Sequence, residues 1–343
     1  EKLRTFGGTA SGHSSMKNMF IKIHKVIEKT KHRSTANRVK LRPIDCLDIA
    51  NIIGENVVVG GVRRTAEIVL IDQDDKECIQ AKSELYKKID EKWVIDTEIA
   101  HRQMSNNSIY YTRKPTRPEL HWHLQQMRYS GEPGWVNEEA GSKRRPNFQG
   151  VNPCAEILLD SKGLCNLTTV NVMAFVRDGV LDHDGLMEAQ RLGARAGYRM
   201  TCTELEIPEW NAVQQRDKLL GCSLTGWQDM VNALSLARED QEKLLRDLRE
   251  AAKKAAAEYA KELGQPEPLL VTTVKPEGTL SLLPVVSSGA HFSHAPYYVR
   301  RIRISSDDPL TKVCEELGYP VFPEVGQDPE TCVTKVVEFP VKA

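Results

Sequence analysis

The segment Leu269-Leu270-Val271-Thr272-Thr273-Val274-Lys275-Pro276-Glu277-Gly278 decides the fold class of this chain. Its first six residues are apolar or β-branched and predict a strand, and the proline and glycine that follow predict a turn. A helix at about 236–263 comes before this strand, and a glycine and a proline end it. Its apolar stripe consists of Leu244, Leu245, Leu248, Ala252, Ala255, Ala256, Tyr259 and Leu263.

Helices and strands also alternate in the first part of the chain. Apolar residues at helical spacing predict one helix from about Ser14 and a second over 43–54, stopped by its glycine. Val57-Val58-Val59 predicts a buried strand, which Gly60-Gly61 interrupts and 68–71 resumes. Strands that are apolar on both faces and alternate with helices predict an α/β fold with a largely parallel sheet. Periodicity alone leaves open whether that sheet is open or closed into a barrel.

The composition indicates a folded protein without a strong charge preference for its partners. The 343 residues are 40% hydrophobic and 27% charged, which is enough for a sizeable core. Lys+Arg and Asp+Glu both number 47, so no net field attracts nucleic acid or a membrane surface. The basic run at 143–145 is expected to be a solvated loop. No membrane span or secretory signal is predicted, and the missing initiator methionine suggests a segment of a longer protein.

The cysteines favour a reducing, cytoplasmic setting. The eight cysteines contain no CxxC pair, so a zinc ribbon, a thioredoxin motif and a disulfide framework are not expected. No metal site is predicted. Cys314 and Cys332 are expected to have structural roles.

The segment Asn152-Pro153-Cys154-Ala155-Glu156, with Cys165 after it, combines groups that can carry chemistry. If the segment is extended, its amide, thiol and carboxylate project to one side, where they can hold a hydroxyl and accept its proton. From these residues alone, Cys154 is a small buried side chain, a radical or nucleophilic thiol, or a zinc ligand with Cys165. A hydrolytic Cys–His pair would need a distant histidine, because none lies within 25 residues of Cys154.

This pattern resembles the active-site finger loop of ribonucleotide reductases, and its Asn-Pro-Cys-Ala-Glu form is similar to the adenosylcobalamin-dependent, class II branch. Other segments resemble family landmarks in the family's order over about residues 1–305. They are LRTFGGTASG at 3–12 and VGGVRRTAE at 59–67 for two regulatory loops, MSNNS at 104–108, GEPG at 131–134, and KPEGTLS at 275–281 for the substrate-phosphate loop.

The resemblance implies a role for each of these residues. Cys154 would become a thiyl radical that abstracts the 3′ hydrogen of a ribonucleotide, and Glu156 would accept the 3′-hydroxyl proton. Asn152 would hold the ribose hydroxyls, and Cys165 would be one of two reducing thiols. The substrate phosphates would contact Pro276, Glu277, Gly278, Thr279, Leu280 and Ser281. Substrate and effector would contact Gly60, Gly61, Val62, Arg63, Arg64, Ser105 and Asn106.

Both loops also have simpler interpretations from their residues alone. The 275–281 loop offers backbone N–H groups and hydroxyls to an anion, or is an ordinary connection between elements. The Glu277 side chain is expected to point away from a bound anion. Gly60-Gly61 with Arg63 and Arg64 is either a strand bulge beside surface arginines or a flexible loop between two nucleotides.

The family's fold is a ten-stranded α/β barrel with the finger loop, here about 150–167, inserted through its centre. The resemblance implies that 1–343 is a partial catalytic domain that lacks the first and last strands and is inactive alone. It implies adenosylcobalamin as cofactor, tri- or diphosphate ribonucleotides as substrates, dNTP or ATP as effectors, and a thioredoxin-type reductant. Three alternatives are a non-catalytic nucleotide-binding fragment, a reductase with a separate metal radical subunit, and an unrelated barrel enzyme with Cys154 as nucleophile.

Overall fold

The structure is a computed structural model that describes residues 12–33, 38–59, 62–63, 65–89, 92–128, 130–324, 329–330, 332 and 334–342. The chain divides into two compact units, one of Glu1–Glu138 with Tyr297–Lys342 and one of Glu139–Pro296. The single catalytic domain over 1–343 that the resemblance implies stays a prediction. In the described part of the chain, no helix is long and apolar enough to cross a membrane.

The first part of unit 1 is built on a parallel sheet. Its elements are α1 (Gly12–His32), α2 (Pro43–Asn56), β1 (Val58–Val59), β2 (Val62–Arg63), β3 (Glu67–Asp72), α3 (Lys76–Ile79), β4 (Tyr86–Ile89), β5 (Lys92–Ile95), a 3-10 helix (Ala100–Met104), β6 (Ser105–Tyr111), α4 (Arg117–Gln126) and β7 (Gly134–Asn137). Strands β3, β6 and β7 pair in that order, all parallel, with Ile68 opposite Asn106 and Ser108 opposite Gly134. The core against this sheet includes Ile44, Leu47, Ile71, Ile79 and Ile109.

Two details of α2 differ from the sequence prediction. The helix continues through Gly54 to Asn56, and a Cβ at Gly54 would lie 1.8 Å from the carboxylate oxygen Oε1 of Glu67. This glycine therefore admits a close side chain and does not stop the helix. Val57 is exposed at the end of α2, and β1 pairs antiparallel with β2 as a hairpin of its own, so the predicted strand does not begin at Val57 and does not continue into β3.

An ion-pair cluster holds α2 against the 3-10 helix. Asp48 accepts hydrogen bonds from Arg102 Nε at 2.6 Å and Nη2 at 2.8 Å, and His101 Nε2 lies 2.9 Å from its Oδ1. Burial opposes ionisation of Asp48, but the Arg102 and His101 hydrogen bonds outweigh it and lower its pKa to about 2.

Unit 2 contains the predicted finger loop and the segment 269–281. Its elements are α5 (Glu138–Arg144), which begins at the last residue of unit 1, β8 (Gly150–Val151), β9 (Leu158–Leu159), β10 (Asn166–Asn171), a 3-10 helix (Val172–Phe175), β11 (Val176–Arg177), β12 (Val180–Leu181), α6 (His183–Thr201), α7 (Pro208–Asp217), β13 (Leu220–Thr225), α8 (Trp227–Leu234), α9 (Arg238–Glu262) and a 3-10 helix (Leu280–Leu282). Strands β10 and β13 are parallel, and α6 and α9 cover one face of them.

Helix α9 confirms the predicted stripe with one exception. Leu244, Leu248, Ala252, Ala255 and Ala256 are buried, whereas Leu245 lies at the edge of the stripe and is exposed. The predicted strand at 269–274 is reduced to a single bridge between Cys222 and Thr272. The ladder is irregular because Leu220 N bonds to Leu270 O while Cys222 N bonds to Val271 O. Two residues on β13 thus oppose one on the neighbouring segment, which is the geometry of a bulge.

The basic run at 143–145 is solvated only in part: Lys143 and Arg144 end helix α5 with exposed side chains, whereas Arg145 is buried. The Arg145 side chain is 0% exposed and pairs with Asp217 at the end of α7. A buried guanidinium needs such a carboxylate, and this one is 72 residues away in the sequence.

The last part of unit 1 is an antiparallel sheet with one helix. Its elements are β14 (Tyr297–Ser305), α10 (Pro309–Glu316), β15 (Val321–Pro323) and β16 (Thr334–Lys342). Strand β16 lies between β14 and β15.

Candidate active site

The predicted finger loop is a hairpin whose tip is a tight turn. Strands β8 and β9 pair antiparallel, with Val151 opposite Leu158. Asn152 closes the tip, because its side-chain Oδ1 accepts from Ile157 N at 2.9 Å and its backbone O accepts from Ala155 N at 2.8 Å. Ala155 has a φ of 62°, so the segment is a turn, and the condition under which its three side chains would project to one side is not met.

Cys154 lies within this turn and is exposed, as is the neighbouring Ala155. The interpretation of Cys154 as a small buried side chain is therefore wrong. Both carboxylate oxygens of Glu156 are buried without a hydrogen-bond partner among the described residues, and this carboxylate acts electrostatically on the Cys154 thiol. The Glu156 backbone carbonyl accepts a hydrogen bond from Thr273 Oγ1 at 2.8 Å, which attaches this side of the hairpin to the segment after the Thr272 bridge.

Cys165 is half-buried, directly before β10, and its Sγ lies 3.6 Å from Asn166 O. Burial, and then the Glu156 carboxylate, raise the pKa of Cys165 to about 12. Cys154 is exposed as a residue, but partial desolvation of its thiol and then the Glu156 carboxylate still raise its pKa, and Lys275 lowers it in part. Both thiols are therefore protonated near neutral pH, which suits hydrogen-atom and proton transfer better than nucleophilic attack by a thiolate.

The 275–281 loop begins beside the hairpin. Lys275 N donates to Ser223 Oγ at 3.0 Å, and Lys275 Nζ lies 3.8 Å from Glu277 Oε2. The Glu277 side chain is 0% exposed, and its Oε1 accepts from Thr169 Oγ1 at 2.5 Å. The carboxylate thus points into the sheet. Its other oxygen is buried without a hydrogen-bond partner in the described part of the chain.

The second half of this loop leads into the 3-10 helix. Ser281 is buried and its Oγ lies 3.0 Å from Ser288 Oγ, whereas Gly278, Thr279 and Leu280 are exposed. These three residues come before or begin the helical turn, so their N–H groups have no partner within it. Gly289 packs behind the loop, where a Cβ would lie 2.6 Å from Lys275 O. The loop therefore offers N–H groups and a hydroxyl to solvent at the position assigned to phosphate.

The structure gathers Asn152, Cys154, Glu156, Cys165 and the 275–281 loop in unit 2. Gly60, Gly61, Arg64 and the segment 3–11 lie outside the described residues. Val62 and Arg63 form β2, and their side chains are not described.

Two further predicted contact residues lie on β6 in unit 1. Ser105 is buried, with its Oγ 3.0 Å from Asn51 Oδ1 and 2.8 Å from Asn107 Oδ1, whereas Asn106 is exposed. The binding roles of all these residues stay predictions.

Sequence reasoning missed three residues that contact this site, namely Thr169, Ser223 and Thr273. Lys275 belongs to the predicted loop at 275–281, but its charge was given no role of its own. The two threonines are ordinary β-branched strand residues, and only the pairing of distant strands brings them to the site. No cluster of metal-ligating side chains occurs among the residues that the structure describes.

Comparisons with known proteins agree on one family. The model of the family described as "Ribonucleotide reductase, barrel domain" matches residues 1–275. The adenosylcobalamin-dependent ribonucleoside-triphosphate reductase of Lactobacillus acidophilus is 30% identical over 376 residues, which cover all of this chain and 47% of the relative. This chain thus spans about half the length of the curated relatives that it matches.

Two solved structures are similar to the chain. A B12-dependent, class II ribonucleotide reductase has a TM-score of 0.74 at 28% identity, covering 100% of this chain and 48% of its own. The alpha subunit of the class Id ribonucleotide reductase from Actinobacillus ureae has a TM-score of 0.54 at 16% identity, covering 88% of this chain and 64% of its own. The second likeness concerns the fold alone.

Proposed function

The chain belongs to the ribonucleotide reductase barrel-domain family, and from this premise we propose that its protein reduces ribonucleotides to 2′-deoxyribonucleotides by thiyl-radical chemistry. Family membership confirms the predicted fold class, a segment of the reductase α/β barrel, although the strands of the described residues form separate small sheets. The relatives are named as triphosphate reductases, so we propose ribonucleoside triphosphates as the substrates.

One observation carries the proposal: the buried Glu156 carboxylate has no hydrogen-bond partner among the described residues and, together with burial, raises the pKa of two thiols, Cys154 and Cys165. A hydrolytic enzyme would need a cysteine whose pKa is lowered by a neighbouring cation or histidine. Here burial and a carboxylate raise the pKa of both thiols. A buried carboxylate without a partner is able to accept a hydroxyl proton from a substrate.

In the proposed reaction, the Cys154 thiyl radical takes the hydrogen atom from C3′ and becomes a thiol. Glu156 accepts the 3′-hydroxyl proton, and Asn152 orients the ribose hydroxyls. The 2′-hydroxyl leaves as water after Cys165 or its partner thiol donates a proton. Those two thiols supply two electrons and become a disulfide, and their second hydrogen goes to C2′. Glu156 returns its proton to the 3′ oxygen, and C3′ regains its hydrogen atom from Cys154, which restores the radical.

Adenosylcobalamin is the proposed cofactor, and the exposed Cys154 thiol is the residue that would meet it. An S–H group at an exposed turn fits hydrogen-atom transfer to a group bound outside the hairpin, which a buried thiol would not allow. When bound, this cofactor supplies a radical by homolysis of its carbon–cobalt bond. The chain's own contribution is to present the Cys154 hydrogen while Asn152 keeps the turn closed.

Substrate phosphates would bind the exposed N–H groups of the 275–281 loop, with dNTP or ATP effectors acting through the 59–67 loop. Because the reducing thiols must be restored after each turnover, we include a thioredoxin-type reductant and a reducing cytoplasmic setting in the proposal. The proposal concerns DNA precursor synthesis by the longer protein, of which this chain supplies the radical cysteine.

Reconstitution of the full-length protein tests this function. With adenosylcobalamin, a dithiol and a ribonucleoside triphosphate, the wild-type protein should form deoxynucleotide without a second subunit. Cys154→Ser should abolish formation while nucleotide binding persists, and Cys165→Ser should allow radical formation but not multiple turnovers with thioredoxin. Cys46→Ser, at another exposed cysteine, is the matched control and should behave as wild type.

Turnover by Cys154→Ser would overturn the radical assignment. Unimpaired steady-state turnover by Cys165→Ser would overturn its role in reduction. An absolute requirement for a metal-containing subunit would replace adenosylcobalamin with the other route to the same radical.

A further inference from the structure

Three hydroxyl side chains lie side by side across neighbouring strands of unit 2. Thr169 on β10 is opposite Ser223 on β13 in the parallel pairing. Thr273 directly follows the bridge between Cys222 and Thr272, so it lies level with Ser223. Thr169, Ser223 and Thr273 are called the hydroxyl row below.

The hydroxyl row faces the finger hairpin. Gly221 precedes Ser223 by two residues and shares its face, since side chains alternate along a strand. A Cβ at Gly221 would lie 2.9 Å from Thr273 Cγ2 and 3.2 Å from Ile157 Cδ1 of the hairpin. The other face of the sheet is covered by α6, where a Cβ at Gly197 would lie 3.1 Å from Leu220 Cδ1.

Each hydroxyl of the row bonds to a different part of the proposed site. Thr169 donates to the Glu277 carboxylate at 2.5 Å, and Ser223 accepts from Lys275 N at 3.0 Å. Thr273 donates to the backbone carbonyl of Glu156 at 2.8 Å. The hydroxyl row therefore attaches both the finger hairpin and the 275–281 loop to the sheet at the same level along its strands.

We propose that the hydroxyl row positions the finger loop against the phosphate loop, with Thr273 placing Glu156 and Thr169 placing Glu277 beside Lys275. The inference rests on the proposed function. It adds three positioning residues, none of which touches the reacting atoms. Rigid placement of catalytic groups is worth large factors in rate, and side chains on strands give more precise placement than loops alone.

If the hydroxyl row has this role, loss of one hydroxyl should affect kcat and loss of another should affect KM. Thr273 acts on Glu156, whose place affects the chemical step, so its loss should lower kcat. Thr169 acts on the loop assigned to phosphate, so its loss should raise KM. Threonine and valine have nearly the same shape, so a change to valine removes the hydroxyl without creating a large cavity, and serine keeps the hydroxyl.

The test uses steady-state kinetics of the full-length reconstituted protein with ribonucleoside triphosphate. Thr273→Val should lower kcat up to about tenfold with little change in KM, as expected for one hydrogen bond. Thr273→Ser should regain most of that rate. Thr169→Val should raise KM by a similar factor. Thr272→Val is the matched control, because this neighbouring threonine has no side-chain hydrogen bond to the described residues.

A second readout is independent of turnover. The rate at which iodoacetamide alkylates Cys154, followed by peptide mass spectrometry from pH 7 to 10, reports the pKa of this thiol. Desolvation and then Glu156 raise that pKa, so Thr273→Val should lower it as the carboxylate loses its fixed place, while Thr272→Val should leave it unchanged.

The two proposals fail in different ways. An inactive wild-type protein would overturn the reductase function, and the thiol titration would still test the row. The positioning role of the hydroxyl row would be overturned if Thr273→Val kept the wild-type kcat and the wild-type Cys154 pKa. It would also be overturned if Thr273→Ser lost as much activity as Thr273→Val.

Discussion

Replacing Asp217 with asparagine tests the ion pairs at the base of the finger hairpin. The Arg145 side chain is 0% exposed and Asp217 is 7% exposed, so water does not screen this pair. Arg145 Nε already has no hydrogen-bond partner among the described residues. Asp217→Asn leaves this guanidinium buried without its partner carboxylate, and breaking a buried ion pair costs about 3–5 kcal/mol.

Arg216 provides the matched control for the same cluster. It donates from Nε to Asp217 Oδ1 at 2.7 Å and from Nη2 to Asp160 Oδ2 at 2.7 Å, but its side chain is 49% exposed. Water screens and replaces such contacts, so Arg216→Gln should cost about 1 kcal/mol or less. The two variants disrupt neighbouring hydrogen bonds and differ mainly in burial.

Hydrogen–deuterium exchange of peptides covering 146–163 measures both variants locally. If the free energy of local opening falls by about 3 kcal/mol, amide exchange becomes more than about a hundredfold faster, since 1.4 kcal/mol corresponds to a factor of ten. Acceleration below about fivefold in Asp217→Asn would refute this account of the buried pair. The double variant Arg145→Met, Asp217→Leu removes both charges and should regain most of the protection.

Three further predictions concern charge. Lys275→Gln should raise the pKa of Cys154 and Glu156→Gln should lower it, both measured by alkylation rate against pH. Asp48→Asn should destabilise unit 1 by about 2 kcal/mol, since the Asp48 pKa of about 2 gives stability above pH 4 that is lost as pH falls towards 2. Burial lowers the pKa of His123, so this residue should contribute stability above pH 6.5 that is lost as the pH falls below that value. Urea unfolding from pH 2 to 8 measures the last two, and a flat profile would contradict them.

The sequence predicts the elements that carry their own periodic signal. Helix α9 follows its stripe because Leu244, Leu248 and Ala252 recur at the spacing of a helical face. The stretch 269–274 has the composition of a strand, but a strand also needs regular partners, and the bulge beside Cys222 leaves it one bridge. Composition therefore predicts which residues favour a strand, but whether they form a regular hydrogen-bonded ladder depends on a partner strand that is distant in the sequence.

The candidate site likewise has one part that nearby residues in the sequence predict and another part that depends on contacts between residues far apart in the sequence. Asn152, Cys154 and Glu156 stand within five residues, so their types and spacing alone indicate a reactive segment. The burial of Arg145 depends on a carboxylate 72 residues away. Likewise, Thr273 reaches Glu156 across 117 residues, which no local pattern encodes.

Different interactions stabilise the two ends of the finger hairpin, so substitutions at its base should affect stability and substitutions at its tip should affect turnover. Buried charges fix its base, where Arg145 meets Asp217, whereas single hydrogen bonds from Thr273 and within the turn fix its tip. Loss of a base charge leaves an uncompensated ion and should unfold the hairpin locally. Loss of a tip hydrogen bond leaves the hairpin folded with its carboxylate displaced. A radical cysteine needs both conditions, because the Cys154 thiol must be exposed to react and Glu156 must stay fixed beside it.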